Sequence, residues 1–146
     1  NARCVATVDA ERRELDGGWV AITDGVVTGV GVGAPPAAID VLDATDCLVT
    51  PGLVDSHTHL IFAGDRSDEA AARTRGERYT GGGILRTVAA TVAAGDEQLV
   101  RETRLRLLSA HGRGTTTIEV KSGYGLDLDT ERRILTQCGF LKRLHR

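Results

Sequence analysis

Two histidines one residue apart, His57 and His59 in the stretch DSHTHL, are the residues of this chain best spaced for chemistry. If the stretch is a strand, residues i and i+2 point to the same face. Both imidazoles can then reach one metal ion, with Zn–N distances of roughly 2.0–2.1 Å. Asp55 would share that face one step deeper and could orient an imidazole from behind. The plain alternative is a strand that ends in polar residues and holds nothing. Position favours the metal. The pair stands where the apolar run LVTPGLV ends, and ligands in parallel α/β folds gather at the carboxyl ends of strands. Two histidines do not complete a catalytic zinc site, which takes three protein ligands and an open position for water. His111 stands at a helix end and His145 beside the chain terminus, where a solvated or capping role is expected. The remaining ligands are therefore expected outside these residues.

Other side chains carry weaker signals. Arg66 follows the histidine pair in a loop, where a guanidinium could grip a carboxylate with two hydrogen bonds; on its own it reads more simply as a surface arginine. Tyr124 lies in KSGYG, whose glycines let the backbone approach a ligand closely. Its hydroxyl could donate to a substrate, or its ring could pack on the turn. Glu119 and Lys121 alternate with Val120, and either face the mouth of a site or pair with each other. The cluster TGGGI lacks the G-x-x-x-x-G-K-S/T pattern, which excludes a P-loop. The run RETRLRL reads as a solvated helix face.

The elements that must position these residues follow from periodicity. GWVAITDGVVTGVG has apolar arms around Asp24-Gly25, a hairpin signal because the turn needs positive φ. APPA is a loop, and IDVLDATDCLVTPG reads as one or two more strands. From Pro51 the character changes. LVDSHTHLIF reads as a strand. A long connection follows, with helical propensity around residues 68–75. ILRTVAATVAAGDE has no clean period and reads as irregular or partly helical. EQLVRETRLRLLSAHG places Leu99, Val100, Leu107 and Leu108 at helical spacing, with Gly112 as a stop. TTTIEV is β-branched and reads as a strand, and KSGYGLDLD as a loop. TERRILTQCGFLKRLHR is helical, with Ile134, Cys138, Leu141 and Leu144 on one face and Gly139 weakening it locally. The order is βαβα, which implies a parallel sheet and the α/β class, as a doubly wound sheet or a (β/α)8 barrel.

Composition narrows the function classes. The net charge is −2 with both signs interspersed, so there is no electrostatic footprint for nucleic acid, and no basic helix suggests a membrane surface. No apolar run approaches the roughly 20 residues of a transmembrane helix. Nor is a secretory leader expected, although the chain begins at Asn1 rather than Met, so its true start is expected upstream. Cys4, Cys47 and Cys138 are odd in number and form no C-x-x-C, which points to ordinary thiols in a reducing, cytoplasmic compartment.

PGLVDSHTHL resembles the metal-binding strand of the amidohydrolase superfamily. HTHLIFAGDRSDE, GGGILRTVAATVAAGDE and GTTTIEVKSGYGLDLDTE are in turn similar to the imidazolonepropionase family, most specifically at FAGDR and EVKSGYGLD. The resemblance covers about residues 48–135. Residues 1–47 fit the superfamily's N-terminal β segment without singling out a member, and CGFLKRLHR fits less well.

The resemblance implies an α/β fold that is the start of a metal-dependent (β/α)8 (TIM-like) barrel. Residues 1–50 would be a small β-sandwich segment and residues 51–146 the first βα units. A complete barrel takes about 250 residues, so at 146 residues the chain reads as truncated. It implies one zinc or iron ion held by His57 and His59, with Arg66, Tyr124 and Tyr79 as substrate-binding residues. The implied substrate is 4-imidazolone-5-propanoate, hydrolysed to N-formimidoyl-L-glutamate in histidine degradation; its propionate gives Arg66 a carboxylate to hold. The metal would lower the pKa of its water from ~15.7 towards ~7, and hydroxide would attack the ring carbonyl carbon. The acid–base residues are expected beyond residue 146, and no catalytic residue is assigned within the chain. The expected partner is a small-molecule substrate, with a homodimer of the full-length protein and no nucleic acid or membrane. Two alternatives stay open: another amidohydrolase, such as a cyclic amidase or a purine or triazine aminohydrolase, and a truncated fragment without activity of its own.

Overall fold

The computed structural model describes residues 1–78 and 82–144, the last three by backbone alone. The chain divides into two compact units, Asn1–Gly52 and Leu53–Arg146.

The first unit is all β. Strand β1 (Cys4–Ala6) pairs antiparallel with β2 (Glu14–Asp16) and parallel with the two-residue β5 (Leu48–Val49), giving the order β2-β1-β5. Strands β3 (Trp19–Thr23) and β4 (Val26–Gly31) form a hairpin. Its turn is Asp24-Gly25, with φ of 51° and 76°; two successive positive φ values match the right-handed twist of the strands. Ala2 and Val5 are the buried apolar residues here. Of the one or two strands expected across IDVLDATDCLVTPG, one forms, the short Leu48–Val49. Ile39, Val41 and Leu42 are almost wholly exposed, so no neighbouring strand completes their alternation.

The second unit is α/β. Strand β6 (Leu53–Thr58) pairs parallel with β7 (Thr115–Val120). The crossover between them carries α1 (Ser67–Thr74), α2 (Gly82–Ala93) and α3 (Asp96–His111), and α4 (Leu128–Leu144) follows β7. The helical propensity expected around residues 68–75 is realised as α1, and the connection holds α2 besides the helix expected at α3.

Of the two readings of ILRTVAATVAAGDE, irregular or partly helical, the second holds: the stretch to Ala93 is a regular helix. Its inward face is made by threonines: Thr87 and Thr91 are buried, and their hydroxyls donate to the carbonyls of Gly83 and Thr87 at 3.2 and 2.7 Å. Such back-bonding satisfies the hydroxyl one turn up the helix, so residues of polar type occupy the face where an apolar period was sought.

The core of this unit is Ile61, Ala63, Ala94, Leu99, Ile134 and Leu141, with Ala90, Val100, Leu107, Val120 and Cys138 packed against it. Leu108, grouped with Leu99 from spacing, is exposed. The stretch LVDSHTHLIF is strand only to Thr58. Its apolar tail, Ile61 to Ala63, leaves the sheet and plugs the core between the helices, while Leu53 and Val54 on the strand are 57% and 67% exposed. Parallel strands normally bury both faces; β6 does not.

Candidate functional site

β6 stops one residue short of His59. Its register with β7 is irregular between Asp55 and Thr58, so strict alternation of side chains breaks down there. The expected role of Asp55 is corrected accordingly: its carboxylate accepts from the backbone amide of His57 at 3.3 Å rather than from an imidazole. The irregularity still leaves the two rings together, with centroids 5.2 Å apart and planes at 78°. Two imidazoles at tetrahedral corners of one zinc ion, bonded at about 2.05 Å, have centroids about 5.2 Å apart. The centroid separation of the pair matches that of two corners of such a site. Among the described residues no group of three His, Cys, Asp or Glu gathers to complete it.

The surroundings of the two rings differ. His57 is exposed and His59 half-buried. His59 Nδ1 is buried with no hydrogen-bond partner, an orphaned polar atom of the kind that a ligand or unseen donor satisfies. One wall of the ring is Gly123, where a Cβ would lie 2.8 Å from His59 Cε1 and 2.9 Å from Nδ1. The close approach expected of the KSGYG glycines is thus made to His59. Tyr124 packs edge-on against His59, with centroids 5.6 Å apart, and against Phe62 at 5.7 Å.

The loop carrying Tyr124 is fixed from the head of α4. Glu131 Oε1 accepts from the amides of Gly125 at 2.7 Å and Leu126 at 3.0 Å, which steadies Leu126 at a positive φ of 59°. Asp127 Oδ1 accepts from the amides of Asp129 and Thr130 and so satisfies donors that the helix start leaves free. Burial pushes the Glu131 carboxyl up, but the amides of Leu126, Gly125 and Gly123 and the Ser122 hydroxyl together hold it below the ordinary glutamate value.

Arg66 stands at the head of α1, and its ion-pair partner is Glu69 at 3.9 Å. The head of α1 is tied down by Arg86 of α2, which donates to Asp68 at 2.9 Å and to the carbonyl of Asp65 at 3.0 Å. A cleft of about 340 Å³ between these helices is lined by residues that include Asp68, Glu69, Gly83 and Arg86, and neither histidine borders it. Glu119 and Lys121 pair with each other at 2.6 Å. Tyr79 and His145 lie outside the described residues.

Sequence reasoning missed Phe62, Thr91 and above all Arg106. The run RETRLRL is not wholly a solvated face: Arg104 is exposed, but Arg106 is half-buried. Its guanidinium donates to the carbonyls of Leu60 at 3.1 Å and Phe62 at 2.8 Å and lies 3.6 Å from the centroid of the Phe62 ring. Burial pushes its pKa down, against the opposing pull of Glu102. Thr91 holds the next amide, that of Ala63, at 3.1 Å. The available signal was spacing: Leu99, Thr103 and Arg106 share one side of α3, the inward side.

No protein-family model matches the chain. Curated proteins do. An imidazolonepropionase of Salinispora tropica is 56% identical over 118 residues, which is 80% of this chain and 30% of that protein. One from Halobacterium salinarum is 52% identical over 130 residues, covering 81% of this chain and 31% of that protein. One from Bradyrhizobium diazoefficiens is 43% identical over 155 residues, covering 98% of this chain and 38% of that protein. The chain spans about a third of the length of the relatives it matches. By sequence the chain is similar, at 43–56% identity, to about a third of the length of the imidazolonepropionases it matches.

Proposed function

We propose that this chain is part of a metal-dependent hydrolase that opens a ring C–N bond of 4-imidazolone-5-propanoate to give N-formimidoyl-L-glutamate, a step of histidine degradation. The supporting observation is the conjunction of kinship with the site: relatives named imidazolonepropionase, and an H-x-H pair whose ring separation of 5.2 Å suits one ion. In this reading His57 and His59 hold a zinc or iron ion, which when bound supplies hydroxide at neutral pH by acidifying its water. Arg66 grips the propionate carboxylate, and the Tyr124 hydroxyl donates to the substrate. Both hold the carbonyl carbon in reach of attack, which lowers the barrier through proximity and orientation. Water adds to that carbon, the C–N bond breaks, and the departing nitrogen takes up a proton. Tyr79 joins the substrate residues in the same reading. The second unit is then the opening of a (β/α)8 barrel, the first a β-sandwich segment, and the whole protein a cytoplasmic enzyme that forms a homodimer.

On this reading the chain by itself is inactive. The exposure of Leu53 and Val54 on a two-stranded parallel sheet supports that, because such a sheet lacks the layers that usually cover it. A chimera tests the proposal. This chain replaces the corresponding part of the Salinispora tropica imidazolonepropionase, with which 80% of it aligns, and hydrolysis of 4-imidazolone-5-propanoate is followed by loss of ring absorbance. Activity is expected in the chimera and not in its His57→Ala form. Arg66→Ala is expected to raise KM far more than it lowers kcat. Equal activity with and without His57 sinks the metal role, and an inactive but folded chimera sinks the substrate.

A further inference from the structure

The chain that follows β6, from Leu60 to Ala63, pairs with no strand among the described residues, and backbone carbonyls away from water need donors. Arg106 of α3 supplies them for Leu60 and Phe62, on either side of Ile61. The same guanidinium stacks on the Phe62 ring at 3.6 Å and is steadied one turn back by Glu102 at 3.3 Å. Phe62 then meets Tyr124, and Tyr124 meets His59. His59 is thus held between Gly123 on one contact and a relay that begins at Arg106 on the other.

We propose that Arg106 is the positioning residue of the histidine site. It fixes the direction in which the chain leaves His59 and, through Phe62 and Tyr124, the setting of the His59 ring. The inference rests on the reading of His57 and His59 as metal ligands for its functional meaning, but not for its geometry. Arginine is required because one planar fork reaches two carbonyls and stacks on a ring at once; the ammonium of lysine is a point charge without a plane. Arg106 touches no substrate in this scheme and moves no proton.

The test uses the chimera described above, in which this chain stands in a full-length relative, with Arg106→Lys and Arg106→Gln, and Leu107→Ala as a control. Leu107 packs against the core on the same helix turn, so its truncation reports lost stability alone. The first readout is the ring ¹⁵N and ¹³C resonances of His59 and Tyr124. The second is Zn²⁺ affinity by competition with a chromophoric chelator. Both Arg106 variants are expected to shift the two rings' resonances and to weaken Zn²⁺ binding by about tenfold, at the lower end of what outer partners of a ligand contribute. Leu107→Ala is expected to lower the melting temperature and change neither readout. Unmoved ring resonances in a folded Arg106→Lys chimera overturn the proposal, as do equal shifts in Leu107→Ala. If the unmodified chimera takes up no Zn²⁺, the metal reading fails and the ring resonances still decide the role of Arg106. Should both Arg106 variants unfold, Phe62→Leu leaves the carbonyl bonds in place and carries the same expectation for Tyr124 and His59.

Discussion

Gly123→Ala is the sharpest test of how the loop after β7 serves the histidine pair. Gly123 has φ of +149°, and a Cβ there would lie 2.8 Å from His59 Cε1 and 2.9 Å from Nδ1. Non-bonded carbons rest at roughly 3.5–4.0 Å, so ring or loop must retreat by about 0.7–1.2 Å. Metal–ligand distances are held to within about 0.2 Å. A retreat of that size takes His59 out of reach of an ion shared with His57. The backbone adds its own cost, because a non-glycine residue in this region is strained by about 1–3 kcal/mol. Gly123→Ala is therefore expected to lower the free energy of unfolding by about 1–3 kcal/mol. Zn²⁺ affinity, measured in the full-length chimera, is expected to fall at least about tenfold, or ~1.4 kcal/mol. Urea unfolding followed by circular dichroism gives the first quantity, and chelator competition gives the second. A variant with wild-type midpoint and wild-type affinity would refute the contact. Lost stability with unchanged affinity would refute the link between the glycine and the metal.

Two further predictions concern the supports of the site. Thr91→Val keeps shape but strands the buried amide of Ala63, which now donates to the Thr91 hydroxyl. A loss of about 1–3 kcal/mol is expected, with Thr91→Ser recovering most of it in the same urea assay; a wild-type midpoint for the valine variant contradicts the bond's importance. Glu131 has a folded-state pKa below the ordinary value of 4.5. Its carboxylate therefore contributes stability above that value, and the contribution is lost as pH falls from about 4.5 through the lowered folded-state pKa. Glu131→Gln is expected to flatten that limb of the stability–pH curve, and an unchanged acid limb contradicts it.

What was legible in the sequence was whatever local rules write down. Asp24-Gly25 specifies its hairpin because few residues accept two positive φ values. The β-branched TTTIEV is a strand in any context that buries half of it. The β6–β7 pairing could be inferred as parallel because a helical connection between strands brings the second one round in the same direction. What was not legible depended on tertiary partners. Thr87 and Thr91 look polar until their hydroxyls turn back on their own helix. Arg106 looks like a surface charge until unpaired carbonyls of another segment meet it. The break in register after Asp55 leaves no local mark, so strict alternation gave Asp55 a role that it does not have. The H-x-H pair was legible as chemistry, and the residues that set its rings were not.

The three-helix crossover also orders the assembly of the molecule in time. Thr58 Oγ1 donates to the carbonyl of Glu119, 61 residues later, and the wall of His59 comes later still, at Gly123 and Tyr124. Contacts of such sequence separation form late, because the entropy of closing the intervening chain is lost before the pairing compensates it. During synthesis both imidazoles emerge well before β7 and its loop exist. A nascent chain thus passes through a stage in which it displays bare imidazoles and an uncovered β6, whose Leu53 and Val54 have no partner. Helices α1 to α3, built from local contacts, are the first material available to shield that edge while the rest is made.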